Sequence, residues 1–290
     1  MKLGISTYCL VDKLRGGEMT VLDVLEWAKE QRCEHVELVP YGYSLVDDGE
    51  LAERVRRKAE QLGLELSNYA LPANFAHDAD EDFHAEVERL KSHVDLLAAM
   101  GIRSMRHDVV LFTIPQEEAA IAHFERNLPR IVEGSRLIAD YAAERGIATN
   151  IENHGWGVQH SDRVQRVIAE VNRPNFRTVL DIGNFLCVDE PPLIGVAKNL
   201  PLASIVHLKD FYYRLADQDP GGGKWFRTAN GNFLRGAIFG QGDLPARSLL
   251  KLIKRSGYDG YLTLEFEGME ESRQGTAIGL DNVRRLWDEV

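Results

Sequence analysis

The sequence predicts a closed barrel of eight parallel strands, each followed by a helix, a (β/α)8 TIM barrel, and three observations carry that prediction. Short strand-like runs and longer helix-like runs alternate from one end of the 290 residues to the other. Strand followed by helix, repeated, implies a parallel sheet with right-handed crossovers. A count of eight at this length favours closure over an open doubly wound sheet. The open alternative wants a glycine-rich turn directly after the first strand. Here that stretch reads STYCLVDKLRGGEM, and its Gly16–Gly17 pair stands too far along to start a phosphate-cradling helix.

The first strand is LGIST from Leu3, and the helix pattern VLDVLEWAKE follows it. HVELV from His35 is the second, with ELAERVRRKAEQLG as its helix. LELSNYA from Leu64 is the third. It precedes FHAEVERLKSHVDLLAAMG, where Val87, Leu90, Val94, Leu97 and Ala98 form an apolar stripe at helical spacing. The remaining strands are IRSMRH from Ile102, IATNIE from Ile147, FRTVLD from Phe176, ASIVHL from Ala203 and YLTLEF from Tyr261. Gly63, Gly101, Gly146 and Gly257 each stand between a helix and the next strand, where C-terminal caps belong. The rhythm breaks after the seventh strand, from Asp210 to about Asp243, a segment holding Gly221–Gly222–Gly223, Trp225, Phe226 and Phe233. So long a loop in a compact domain is usually functional or mobile. It falls on the side where barrel enzymes keep their chemistry, and it reads as a lid or as a loop ordered by another subunit. No linker interrupts the pattern, so residues 1–290 read as one barrel domain.

Composition narrows the partners. With 44% hydrophobic and 27% charged residues the chain can bury a core and is not generally disordered. Its 34 basic against 45 acidic residues give −11, which repels nucleic-acid phosphates and anionic lipid, and no Lys/Arg run suggests a concealed basic groove. No stretch approaches the roughly 20 apolar residues of a membrane span. MKLGISTYCL has no signal-peptide layout. Cys9, Cys33 and Cys187 are odd in number and far apart, which argues against a disulfide framework. The expectation is a soluble cytoplasmic protein with no nucleic-acid or membrane partner.

In a parallel barrel the strand C-termini converge on one mouth, and here they deliver Glu37, Asn68, His107, Glu152, Asp181, His207 and Glu265. Burying such groups without partners costs several kcal/mol each, so something must compensate them. Glu152, Asp181, His207 and Glu265 form a ligand set suited to one divalent ion of the Mn²⁺, Mg²⁺ or Co²⁺ kind, Zn²⁺ being compatible too. Without a cation, three clustered carboxylates would raise one another's pKa. The competing reading is a hydrogen-bonded cluster with no metal.

ENHG at 152–155, LDIGNF at 180–185, VHLKD at 206–210 and GYDGYLTLEFEG at 257–268 resemble the sugar phosphate isomerase/epimerase family, the xylose-isomerase-like barrels. Ketose 3-epimerases, hydroxypyruvate isomerases, inosose dehydratases and endonuclease IV are its branches. The resemblance spans the chain and implies that Glu152, Asp181, His207 and Glu265 are metal ligands. It also implies that Glu152 and Glu265 are the acid/base pair, with Glu267 as the fallback for Glu265. A homo-oligomer is left open. Where the epimerases carry a sugar-contacting histidine, three residues past the metal aspartate, this chain has Asn184; His154 supplies an imidazole instead.

A divalent ion chelated by two oxygens of a hydroxy-ketone acidifies the intervening C–H by stabilising an enediolate, and two carboxylates can then exchange its proton. Epimerisation, aldose–ketose isomerisation and elimination all begin so. The expected activity is therefore isomerase or epimerase of an unphosphorylated keto-sugar, the alternative being a lyase or dehydratase of an inosose or 3-keto-glycoside. Phosphate is disfavoured because Glu265, Glu267, Glu270 and Glu271 crowd the loop after strand eight. An endonuclease would need more histidine ligands, and a mere sugar-binding protein would not need the two glutamates. Lys209 reads as neutralising an oxyanion or as bridging to Asp210 or Glu265. His107 reads as a substrate-hydroxyl contact before a core residue, and Asn68 is grouped with it as substrate-binding. His154 and Trp156 read as a wall of the pocket, with plain packing an equal reading for Trp156. Glu37 reads as a partner of a sugar hydroxyl or of a metal ligand. His35, His77, His84, His93, His123 and His160 receive no role.

Overall fold

The computed structural model describes residues 1–111 and 119–290. Its barrel strands are β1 (Lys2–Ser6), β2 (His35–Leu38), β3 (Glu65–Leu71), β4 (Ser104–His107), β5 (Ala148–Glu152), β6 (Phe176–Asp181) and β7 (Ala203–Leu208). After the insertion strands β8 (Asp210–Arg214), β9 (Phe226–Arg227) and β10 (Phe233–Ala237), the eighth barrel strand is β11 (Tyr261–Leu264). Neighbouring barrel strands pair in parallel, and β11 closes on β1 through Lys2↔Tyr261 to Ile5↔Leu264. The predicted (β/α)8 barrel is thus the observed fold, each strand beginning within two residues of its expected start.

A short α1 (Val11–Gly16) precedes the crossover helices α2 (Val21–Glu30), α3 (Gly49–Leu62), α4 (Asp80–Met100), α5 (Ile121–Ala143), α6 (Ser161–Val171), α7 (Pro192–Asn199), α8 (Ala246–Arg255) and α9 (Ser272–Glu289). Local chemistry sets their ends. Thr20 and Asp23 form a capping box on α2, and Asp48 accepts from the Leu51 N–H to start α3. Gly63 and Gly101 close α3 and α4 at φ 62° and 74°, where a Cβ would be strained. The α4 stripe goes inward, burying Val87, Leu90, Val94 and Leu97 against the sheet. Among the described residues, no helix is long and apolar enough to cross a membrane.

Inside the barrel, below the mouth, the side chains are polar and bonded to one another. Asn68 Nδ2 donates to Glu37 Oε2 at 2.8 Å and Ser104 Oγ to Asn68 Oδ1 at 2.7 Å. Asn150 Nδ2 donates to Ser104 Oγ at 3.0 Å, and the Ser204 hydroxyl donates to Asn150. Satisfied in this way, the groups escape the cost of unpaired burial.

The insertion after β7 is more ordered than the sequence suggested. Strands β8, β10 and β9, in that spatial order, form an antiparallel sheet. Its two ends are gathered by one side chain: the Asp210 carboxylate accepts from Phe211 N at 2.9 Å, Gly240 N at 2.8 Å, Gly242 N at 3.0 Å and Leu244 N at 3.2 Å. A Cβ on Gly242 would lie 2.1 Å from Asp210 Oδ1, so the approach requires glycine. Farther out, Asp189, just past β6, accepts from Tyr213 Oη, Asn230 N and Nδ2, and Asn232 Nδ2. That carboxylate docks the insertion on the loop that follows Asp181.

Candidate metal and substrate site at the barrel mouth

Four consecutive strands in the ring bring Glu152, Asp181, His207 and Glu265 together. One donor atom from each lies within 4.8 Å of every other. The local backbone aims them. Asp181 Oδ1 is taken by Gly183 N at 2.7 Å and Asn184 N at 2.9 Å, leaving Oδ2 buried without a hydrogen bond. His207 Nε2 lies 2.9 Å from Glu37 Oε2, while its Nδ1, also without a hydrogen-bond partner, faces Glu152 Oε1 at 3.7 Å. An imidazole fixed through one nitrogen by a carboxylate, with the other aimed at carboxylate oxygens, is the arrangement of a metal-ligating histidine. Two buried ligand atoms without hydrogen bonds, Asp181 Oδ2 and His207 Nδ1, fit a divalent cation, and the cluster could hold one.

The electrostatics point the same way. Burial opposes charge on His207, yet Glu37 outweighs it and raises the imidazole to about 10. Burial pushes Asp181 up to about 6 despite Lys209. Glu265, which burial would raise, is held at about 2, chiefly by Lys209 and then His207. Burial opposes charge on Lys209 too, yet Glu265, Glu267 and Asp181 drive it well above its ordinary value. The carboxyl groups of Glu37, Asp108, Glu152, Asp181, Glu265 and Glu267 outnumber the cations that touch them. Arg106, a proton on His207 and the Lys209 ammonium offset only part of that negative charge.

The other expected residues divide. Glu37 is bonded to His207 and Asn68, which favours its reading as partner of a metal ligand. Lys209 Nζ sits 2.6 Å from Glu265 Oε2 and 3.5 Å from Asp181 Oδ2, while Asp210 is turned away to gather the insertion. Glu267 Oε1 is 3.9 Å from Lys209 and stays outside the four-residue cluster. Asn184 Nδ2 donates to Glu152 Oε1 at 3.1 Å. His154 Nδ1 lies 3.0 Å from Asp108 Oδ1, and half-buried Trp156 lines the cavity beside it.

Two residues are not where the sequence suggested. Asn68 is fully buried below the mouth, spent on Glu37 and Ser104, and does not line the cavity. His107 faces the helix layer, its ring 5.6 Å from Phe75 and 6.1 Å from Phe176, with Nδ1 on the Asp108 carbonyl. The reason is strand parity: Ser104 and Arg106 point into the barrel, so Met105 and His107 point out. Arg106 is what sequence reasoning missed. Its Nε and Nη2 lie 2.6 and 2.5 Å from Glu152 Oε2, and Nη2 lies 3.4 Å from Asp108 Oδ1. The signal that could have found it was an arginine inside an otherwise buried strand, where Arg survives only when paired.

The cluster opens into a cavity of about 870 Å³, and the insertion reaches it through Lys224, Phe226 and Arg227.

A family model described as xylose isomerase-like TIM barrel matches residues 25–286. Inosose dehydratase 1 of Bacillus cereus is 25% identical over 190 residues, which are 62% of this chain. The match spans 63% of that relative's length, somewhat under two thirds. Among solved structures, the probable 3-DHS dehydratase involved in petrobactin synthesis from Bacillus anthracis superposes with a TM-score of 0.75 at 15% identity, covering 98% of this chain and 99% of that one. The 3-keto-D-glucoside 4-epimerase of E. coli gives 0.72 at 15% identity with the same two coverages. At such identities the two structures speak for the fold. With the family model matched along most of its length, the chain belongs to the xylose isomerase-like TIM barrel family.

Proposed function

We propose that this protein is a divalent-metal-dependent isomerase or epimerase that moves a proton at the carbon beside the carbonyl of an unphosphorylated keto-sugar. The observation that carries this reading is the cluster of Glu152, Asp181, His207 and Glu265, in which Asp181 Oδ2 and His207 Nδ1 are buried without a hydrogen bond. These four would hold the ion, Mn²⁺ in the first instance, with Mg²⁺, Co²⁺ and Zn²⁺ compatible with the same donors. Bound there, a divalent cation stabilises negative charge on a carbonyl oxygen and so acidifies the adjacent C–H.

The chain's own residues do the rest. Glu152 is held at both oxygens, by Arg106 on one and Asn184 on the other, so its position is set before substrate arrives. Glu265 is held by Lys209 across the cluster. One carboxylate removes the proton and the other returns one. Glu267, Glu270 and Glu271 line the cavity beyond Glu265 and outnumber Lys224 and Arg227 on the insertion, so their field opposes a phosphate dianion, which supports a neutral substrate. The sheet of β8, β9 and β10 serves as the lid that keeps water from the carbanionic carbon.

A dehydratase or lyase on an inosose or 3-keto-glycoside is the second reading, favoured by the likeness to an inosose dehydratase. It shares the proton abstraction and differs in what leaves afterwards. The test is a panel of keto-sugars, inososes and keto-glycosides incubated with Mn²⁺ in D₂O and followed by NMR. Solvent deuterium is expected at the carbon next to the carbonyl, and Glu152→Gln or Glu265→Gln should lower turnover about 10²–10⁴-fold. A dehydrated product would select the second reading. A product without deuterium, formed also by Glu265→Gln, would mean a hydride shift and overturn both.

A further inference from the structure

The cavity has two unlike walls. The side built by β5, β6, β7 and β11 carries the charged cluster. The facing side, from the ends of β1, β2 and β3, presents Tyr8, Val11, Val39, Tyr41, Leu71 and Pro72. Charge is sparse there: Glu37 is spent on His207 and Asn68, Asp12 is exposed, and the Arg15 guanidinium stacks on the Tyr41 ring, 4.6 Å from its centre. The Tyr8 and Tyr41 rings stand 6.0 Å apart, tilted by 59°. On the insertion, Phe226 lines the same cavity and remains 39% exposed, its ring 5.8 Å from Phe211.

A volume of about 870 Å³ lies toward the upper end of the roughly 300–1,000 Å³ of pockets for drug-sized ligands, more than one sugar ring occupies. A sugar whose reacting oxygens sit at Glu152, Asp181, His207 and Glu265 leaves the apolar wall uncovered. More hydroxyls there would lose water without gaining partners. An apolar group there would instead be stabilised by about 25 cal/mol per Å² removed from water. We propose that the Tyr8–Tyr41–Leu71 wall is a subsite for an apolar aglycone, so that the substrate is a keto-glycoside bearing an aryl or alkyl group. This rests on the keto-sugar reading above and adds to it the class of substrate.

The experiment compares a phenyl 3-keto-glucoside, the methyl 3-keto-glucoside and free 3-keto-glucose with the Mn²⁺-loaded protein. The phenyl compound should have a kcat/KM at least about tenfold above the methyl one, expressed mainly in KM. Tyr41→Ala should reduce that phenyl-to-methyl ratio about tenfold. Equal kcat/KM for all three substrates, or an unchanged ratio in Tyr41→Ala, would overturn the subsite while leaving the proton-transfer reading intact. If none of the three reacts, it is the keto-sugar reading that fails. The wall is then judged by saturation-transfer NMR with unoxidised phenyl glucoside. Stronger saturation of the phenyl than of the ring protons, lost in Tyr41→Ala, supports the subsite; no such preference overturns it.

Discussion

At Glu37 the two oxygens have different surroundings. Oε2 lies 2.9 Å from His207 Nε2 and accepts from Asn68 Nδ2 at 2.8 Å, while Oε1 is buried with no hydrogen-bond partner. Burial would raise this carboxyl, yet His207 and Asn68 hold it below the ordinary carboxylate range. Replacing it by an amide removes the charge that orients the ring. Glu37→Gln is therefore expected to weaken Mn²⁺ binding about 10–100-fold, the usual effect of losing a hydrogen-bond partner of a ligand, measured by calorimetric titration of the metal-free protein. Unchanged affinity would show that His207 is oriented without it. The four clustered residues were legible in the sequence because strand ends in a parallel barrel must converge, and Glu152, Asp181, His207 and Glu265 each lie within one residue of a strand's end. Arg106 was not legible for an equally physical reason. Side chains alternate across a strand, so a parity error of one residue exchanges Arg106 for His107 and moves the inferred contact from the mouth to the helix layer.

The insertion shows what is legible at the level of elements. Its length, glycine triplet and aromatic residues marked it as unusual, but its sheet was not readable. Strand β9 has two residues, and its partner β10 lies across a turn whose pairing no local pattern dictates. Two carboxylates secure it, Asp210 at the base and Asp189 farther out. Breaking the outer one should free the tip and leave the base. Asp189→Ala is expected to speed proteolytic cleavage between residues 215 and 232 severalfold, with the barrel fragments remaining intact on a gel. In the wild type, a turned-over substrate should protect that stretch. Equal cutting with and without substrate would remove the support for a lid.

For the molecule as a whole, buried neutral imidazoles set the acid limit. Burial lowers His35, His93 and His107 to about 4 each. His35 is wedged between Ser67 Oγ at 2.9 Å and the Leu262 carbonyl at 3.1 Å. Below an ordinary pKa of about 6.5 the unfolded chain takes up these protons and the folded chain does not, so stability falls as pH drops from about 6.5 to about 4. Asp181 and Asp210, raised to about 6, and Glu267, raised by its burial, work the other way over part of that window. Against them, Glu37, Asp108 and Glu265 are held low and begin to lose their contribution as the pH nears about 4.5. Thermal denaturation of the metal-free protein should thus show a lower midpoint at pH 4.5 than at pH 7. Substitution of His107 by Phe should narrow that difference, and a difference unchanged by it would remove His107 from the account. None of the three histidines announces this in the sequence: for His35 and His107 strand alternation names two possible faces and only the closed barrel decides between them, while His93 lies on α4, where its burial depends on how that helix packs.

The way Asp210 gathers the insertion bears on how such a protein diversifies. Because a single carboxylate fixes the backbone at Phe211, Gly240, Gly242 and Leu244, both ends of the insertion are held at the barrel whatever the length of the tip between them. That stretch is a cassette. Its tip can lengthen, shorten or exchange its aromatic and basic residues without altering a rung of the parallel ladder or displacing Glu152 and Glu265. Change in the cassette would then alter the cavity rim formed by Lys224, Phe226 and Arg227 and leave the four-residue cluster beneath it in place.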